Sequence, residues 1–200
     1  MNRLGFLWAR TLRQEDPLAA LSQGLNLAGH VALVGNARSL TGAGAQIDAA
    51  GTVVRINRAP MPSAQSHGTR TDMLALATGL PAADLARLRP GRVLWMSPKR
   101  KRLTWALASS PGFYLHPLQD IARLRQTLGA PPTTGLMMID LLARSRAERV
   151  DLWGFDFFAS LSLSGRRTAA QVPHDFAAEK AFVQALITRD RRFVLHSPAG

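Results

Sequence analysis

Short runs of β-branched and apolar residues recur along this 200-residue chain, and between them the apolar period turns from strand-like to helical. That alternation constrains the fold more than any other feature, because strands joined through helices lie parallel in one sheet. Residues 30–34 (HVALV) read as a strand that ends at Gly35-Asn36, 43–50 as a short helix, and 52–56 (TVVRI) as a second strand ending at Asn57. A Pro- and Ser-containing loop, APMPSAQSHG, leads to a strand at 72–77, a helix at 81–89 and a strand at 92–96. The stretch SPKRKRLTWALASSPG has no clear period, and its KRKR run reads either as a solvated loop or as an acceptor or membrane contact. A short strand at 113–115 and a helix at 118–128 follow. Pro131-Pro132 then precedes a helix at 134–146, and 149–153 (RVDLW) reads as a buried strand ending in Gly154-Phe155. A polar loop over 159–172, a helix over 175–188 and a strand at 192–195 complete the pattern. The expectation is an α/β fold, a single Rossmann-like domain with a mainly parallel sheet. It occupies residues 29–200 behind an N-terminal helical segment at 1–28.

The balance of 25 Lys and Arg against 13 Asp and Glu gives a net charge of +12, which suits an anionic partner. The excess is mostly Arg, the better bidentate partner for phosphate and carboxylate. Nucleic acid is not expected, since the basic residues are dispersed and neither an aromatic platform nor a recognition helix is legible. With no cysteine, disulfides, Cys-ligated zinc and thiol catalysis are excluded, and a reducing compartment fits. In MNRLGFLWARTLRQEDP the apolar stretch is broken by Arg10 and Arg13, too early for a secretory signal and far short of the roughly 20 apolar residues of a membrane span. A cytoplasmic protein is expected, with peripheral association at the inner membrane face as a possibility. The N-terminal segment reads as an amphipathic helix with Leu4, Leu7, Trp8 and Leu12 on one face. Packing of that face on the domain is the first expectation, docking on an anionic membrane surface the second.

Ligands of open parallel sheets bind beyond the carboxyl ends of the strands, and three segments fall there. In VGNARSL, Gly35 allows close approach of the backbone and Asn36 offers a donor and an acceptor to a base or ribose; an ordinary strand-to-helix turn explains the same residues. The G-x-G-x-x-G spacing of a dinucleotide turn is missing. In PPTTGL, a Thr cap opens a helix whose free amides and dipole suit a phosphate, or merely cap the helix. In PHDFAAEK, His174 stands at the start of a helix whose apolar face is Phe176, Phe182, Val183 and Leu186. The positive helix end there favours a neutral imidazole able to accept a proton. Glu179, one to two turns on, would stabilise this helix end or orient a neighbour. His30, His67, His116 and His196 lack such a setting and read as structural or surface residues. No Asp-x-Asp, His-x-His or H-E-x-x-H spacing supports a metal site.

In order and spacing these segments resemble the sialyltransferase family, the family-29 glycosyltransferases. VALVGNARSLTGAGAQIDAAGTVVRINRAP, continuing into HGTRTD, is similar to its long motif. PPTTGLMMIDLLARSRAERVDLWGFDFF is similar to its short motif, and PHDFAAEK to its final H-x4-E motif; together they span residues 30–80 and 130–188. The resemblance implies a GT-A-like variant of the Rossmann-like fold and a metal-independent, inverting transferase. Its donor would be a CMP-sugar, sialic acid foremost and Kdo second, with no cofactor, and its acceptor a glycan or glycolipid. It implies that Gly35, Asn36 and Asn57 contact the nucleotide, that Thr133, Thr134 and Gly135 hold the nucleotide or phosphate, and that His174 is the general base. Animal members carry a disulfide between the first two motifs and a membrane anchor, neither present here, so a short bacterial-type enzyme is implied. The aromatic or His motif that precedes the last one has no match in SGRRTAAQV, where Arg166 or Arg167 would take its role. A different nucleotide-dependent enzyme and a non-catalytic nucleotide- or nucleic-acid-binding module are the competing readings.

Overall fold

The computed structural model describes residues 1–11, 16–157, 163 and 172–196. In chain order its elements are α1 (Arg3–Ala9), β1 (Ala28–Val34), α2 (Gly44–Asp48), β2 (Thr52–Ile56), α3 (Ala64–His67), β3 (Met73–Leu76), α4 (Ala82–Leu88) and β4 (Arg92–Trp95). There follow α5 (Trp105–Ala108), β5 (Tyr114–Leu115), α6 (Leu118–Leu128), α7 (Thr134–Ala143), β6 (Arg146–Trp153), α8 (Phe176–Arg189) and β7 (Phe193–Leu195). Short 3-10 turns at Pro17–Leu21 and Arg100–Arg102 complete the set.

The seven strands form one sheet in the order β5-β4-β3-β2-β1-β6-β7, and every neighbouring pair is parallel. The Rossmann-like α/β expectation is met, with a sheet that is parallel throughout. The runs in the sequence are continuously apolar rather than alternating because both faces are covered. On one face, Val31, Leu33, Val54, Val150 and Leu152 pack with Leu124 of α6, Met138 of α7 and Val183 and Leu186 of α8. On the other, Ala32, Val34, Val53 and Trp153 meet Ile47 of α2, while Leu74, Leu76, Val93 and Trp95 meet Phe6, Leu18, Leu88 and Leu107. The chain steps from β1 outward to β5, then α6 and α7 carry it back so that β6 lies beside β1. The order reverses at the β1–β6 pair, and a ligand crevice is expected beyond the carboxyl ends of the strands there.

Several boundaries differ from the sequence reading. Helix α7 stops at Ala143, not 146, because Arg144 and Ser145 turn the chain and β6 begins at once at Arg146 to pair with Ala28. The loop before β3 holds a single helical turn, α3, capped by the Ser63 side chain, and the aperiodic stretch holds α5, capped by Thr104. At the amino terminus the expected face is inverted. Phe6 and Ala9 are buried on the domain, whereas Leu4, Leu7 and Trp8 are 77%, 42% and 66% exposed. Leu12 lies outside the described residues. Phe6 wins the inward position because a pocket is ready for it, lined by Leu18, Leu103 and the edge of Trp105.

HGTRTD serves as scaffold. The Asp48 carboxylate accepts from the backbone N–H groups of Thr69 and Arg70 and from the Thr69 hydroxyl. These bonds hold its carboxyl below the ordinary range against the opposing effect of burial. Arg55, 1% exposed, donates to the carbonyls of His67 and Arg70 and ties this turn to β2. His67 and His116 are buried, and His30 and His196 flank the buried Asp151 carboxylate at 2.6 and 3.0 Å.

Candidate active site

At the carboxyl ends of β1 and β6 the two backbones touch. The Gly35 N–H donates to the Trp153 carbonyl at 2.7 Å and the Ala37 N–H to the Gly154 carbonyl at 3.2 Å. A Cβ on Gly35 would stand 2.3 Å from the Gly154 carbonyl oxygen, and Gly154 itself has φ +67°. Glycine is therefore required at both positions, and the pair lets the crevice open directly above the sheet. Asn36 leaves this turn with its Nδ2 donating to the Ile56 carbonyl at 3.2 Å. Across β2, Asn57 adopts φ +53°, a conformation that Asn tolerates better than most residues. Its Oδ1 accepts from the Ala77 N–H at 3.1 Å, and its Nδ2 lies 3.5 Å from the Thr134 hydroxyl. Both asparagines are thus pre-oriented by the ends of β2 and β3.

The amino end of α7 closes a second side. Thr133 is its cap: the hydroxyl accepts from the Leu136 N–H and donates to Glu179 Oε2, while the Thr133 N–H donates to Glu179 Oε1. Thr133 is thereby committed to protein partners. The N–H groups of Thr134 and Gly135, the next two, have no partner among the described residues, as the geometry of a helix start requires. Gly135 sits under the Phe155 ring, where a Cβ would come within 2.7 Å of a ring carbon. Glu179 reaches the cap from α8. It shares the buried stripe with Val183 and Leu186 and is 4% exposed. Burial pushes its carboxyl up to about 7, Asp175 adds to the rise, and the two Thr133 bonds oppose it.

His174 immediately precedes Asp175, whose side chain caps α8 by accepting from the Ala178 N–H. The imidazole Nδ1 stands 2.7 Å from the Pro131 carbonyl oxygen. A carbonyl only accepts, so Nδ1 carries the hydrogen and the neutral ring leaves Nε2 as the basic nitrogen. This bond also ties the loop before α8 to the loop before α7, and it fixes the orientation of the ring.

These residues line one cavity of about 280 Å³. Gly35, Asn36, Asn57, Thr133, Thr134, Gly135, His174 and Glu179 all contribute to it, so the structure gathers every described residue singled out from the sequence. Arg166 and Arg167 lie outside the described residues. The sequence reading passed over Phe155, Asp156 and Phe157, which follow β6 and line the same cavity. Asp156 accepts from the Ser39 hydroxyl at 3.1 Å, which links the two strand-end loops. Their signal was available: the segment after a central parallel strand belongs to the ligand crevice as much as the segment after β1 does. The apolar floor of Ile56, Leu136 and Ile139 with a few convergent polar groups is the usual make-up of a small-molecule site. Among the described residues no group of three or more His, Asp or Glu side chains is placed to hold a metal ion.

No protein-family model matches the chain, and no curated protein sequence matches it. Solved structures do. A mammalian sialyltransferase superposes with a TM-score of 0.65 at 14% identity, over 100% of this chain and 87% of that one. A mammalian sialyltransferase in complex with Gal-beta-1-3GalNAc-ortho-nitrophenol superposes with a TM-score of 0.64 at 16% identity, over 97% of this chain and 84% of that one. The fold is shared with these enzymes over nearly the whole chain.

Proposed function

We propose that the chain is a metal-independent, inverting glycosyltransferase of sialyltransferase type that transfers a sugar acid from a CMP-sugar to a glycan or glycolipid acceptor. The observation that carries this reading is the meeting, in one cavity at the reversal of strand order, of a tautomer-fixed His174, two pre-oriented asparagines and the unpaired amides of α7. A fold shared with sialyltransferases supports it.

In this scheme Asn36 and Asn57 offer amide donors and acceptors to the nucleotide. The N–H groups of Thr134 and Gly135, with the positive end of α7, receive the phosphate. They take the place of a divalent cation, which a monophosphate leaving group needs less than a diphosphate. The proton of the acceptor hydroxyl passes to His174 Nε2 as its oxygen bonds the anomeric carbon. The bond from that carbon to the phosphate oxygen breaks on the opposite side, and its electron pair leaves with CMP. The Nδ1–H to Pro131 bond stabilises the imidazolium formed. Sialic acid is the first choice of sugar, Kdo the second, and a cytoplasmic working place completes the proposal.

The test is release of CMP from CMP-Neu5Ac and CMP-Kdo with a panel of glycan acceptors, with and without EDTA. Acceptor-dependent, EDTA-insensitive release supports the reading. No detectable binding of CMP at millimolar concentration defeats it.

A further inference from the structure

We infer that α1 and the basic turn after β4 form a docking surface for an anionic lipid bilayer. At 100° per residue, Leu4, Leu7 and Trp8 share one side of α1, opposite Phe6. The inward side is satisfied: Phe6 is fully buried, edge-on to Trp105 at 5.4 Å, and Ala9 is buried beside it. The outward side is just as apolar and nothing among the described residues covers it, with Leu4 77%, Leu7 42% and Trp8 66% exposed. A helix apolar on both sides is made to bury both, and its outer face carries the Leu and Trp side chains that settle at a membrane interface.

Charge decides which occupant fits. Arg10 donates to the Leu103 carbonyl at 3.2 Å, so the end of α1 lies against the segment that follows Lys99-Arg100-Lys101-Arg102. Of these four, the fold uses one: Arg100 is buried, paired with Asp16 at 2.6 Å and donating to the Ser97 and His116 carbonyls. Lys99, Lys101 and Arg102 are exposed, as is Arg3 on α1, and none of the four has a carboxylate partner among the described residues. An exposed apolar strip near cations that have no carboxylate partner among the described residues matches acyl chains below a layer of anionic headgroups. It matches a second copy of a chain carrying +12 poorly, since like charges would be brought together.

The topology gives this surface a direction. All strands run parallel, so the turn after β4 stands at the same sheet edge as the cavity after β1, three strand spacings away, or about 14 Å. Docking through this edge would bring the mouth of the cavity toward the membrane plane. That consequence rests on the proposed transferase reading; the docking itself does not.

The experiment is flotation of the full chain with vesicles of phosphatidylcholine, alone or mixed with phosphatidylglycerol, at low and high salt. Strong partition onto the mixed vesicles only, weakened by salt, is expected. Leu4→Glu with Trp8→Glu is expected to reduce partition at least about tenfold, and so is Lys99→Glu with Lys101→Glu and Arg102→Glu. These side chains are exposed, and unchanged thermal unfolding is the check that the variants fold. Absence of binding to phosphatidylglycerol vesicles at low salt overturns the inference. So does binding that survives loss of the apolar strip, or sedimentation showing a dimer that Leu4→Glu with Trp8→Glu dissociates. CMP-induced thermal stabilisation of the same variants reports separately on the cavity, so failure of the transferase reading is distinguishable.

Discussion

Glu179 occupies a core position of α8: with Val183 and Leu186 it faces inward at helical spacing, and its carboxylate holds Thr133, the cap of α7. Its carboxyl is raised from the ordinary 4.5 to about 7, so between those values the folded chain holds a proton that the unfolded chain releases. The associated stability is fully present below about pH 4.5 and is lost as pH rises through 7, by about 3 kcal/mol in all at 1.36 kcal/mol per unit. Glu179→Gln keeps an acceptor for the Thr133 N–H without the charge. It is expected to flatten the pH dependence of urea unfolding between pH 5 and about 8 and to leave the variant the more stable protein at the alkaline end. A native profile with no slope in that window would mean that the group is ionised throughout. His174 gives a kinetic prediction. His174→Ala should lower transferase turnover at least about 100-fold and leave CMP affinity within a few fold, whereas Asn36→Ala should weaken CMP binding, both read by titration and single-turnover assay. Near-normal turnover of the histidine variant would remove it from the chemistry.

Among the elements, the β1–β6 contact carries the site, and two glycines make it. A methyl group on Gly35 would be driven into the Gly154 carbonyl, a backbone atom that cannot turn aside. Gly35→Ala is expected to cost about 2–3 kcal/mol and to weaken CMP binding, because the strand ends must part. Gly79, with open space around it, is the control, and Gly79→Ala should unfold within about 0.5 kcal/mol of the native chain. Equal effects would show that the close approach is not maintained. The strands were legible because burial on both faces leaves apolar runs such as VALV, and α8 was legible from its 3.6 period. Elements of one turn were not: α3 and α5 are each four residues long and carry no full period to read. The face of α1 was misjudged for a related reason, since both sides of that helix are apolar and only the receiving pocket for Phe6 decides between them. In the cavity, strand-end Asn and Gly residues and the helix-start histidine were singled out by their place at strand and helix ends together with the family resemblance, since local chemistry alone also fitted an ordinary turn or cap. Glu179's bond to Thr133 spans 46 residues, and no local pattern encodes it.

Considered whole, the molecule places its cavity where separate chain segments converge: the ends of β1, β2 and β6, the start of α7, and the loop into α8. Only the folded chain assembles them, so a ligand that uses them together must stabilise folding by mass action. At a hundredfold excess over its dissociation constant, such a ligand adds about 2.7 kcal/mol. For a chain of this length that corresponds to a rise in Tm of roughly 5–10 °C. CMP is therefore expected to raise Tm by that amount at a hundredfold excess over its dissociation constant, and EDTA is expected to leave the rise unchanged, because the proposed phosphate site is built from the Thr134 and Gly135 amides. AMP should produce a smaller rise, since the Asn36 and Asn57 amides would meet a purine in place of the pyrimidine of CMP. Calorimetry with both nucleotides, with and without EDTA, separates the outcomes. A shift abolished by EDTA would transfer the phosphate from the helix end to a cation. Equal shifts with CMP and AMP would keep the anion site and remove the base specificity.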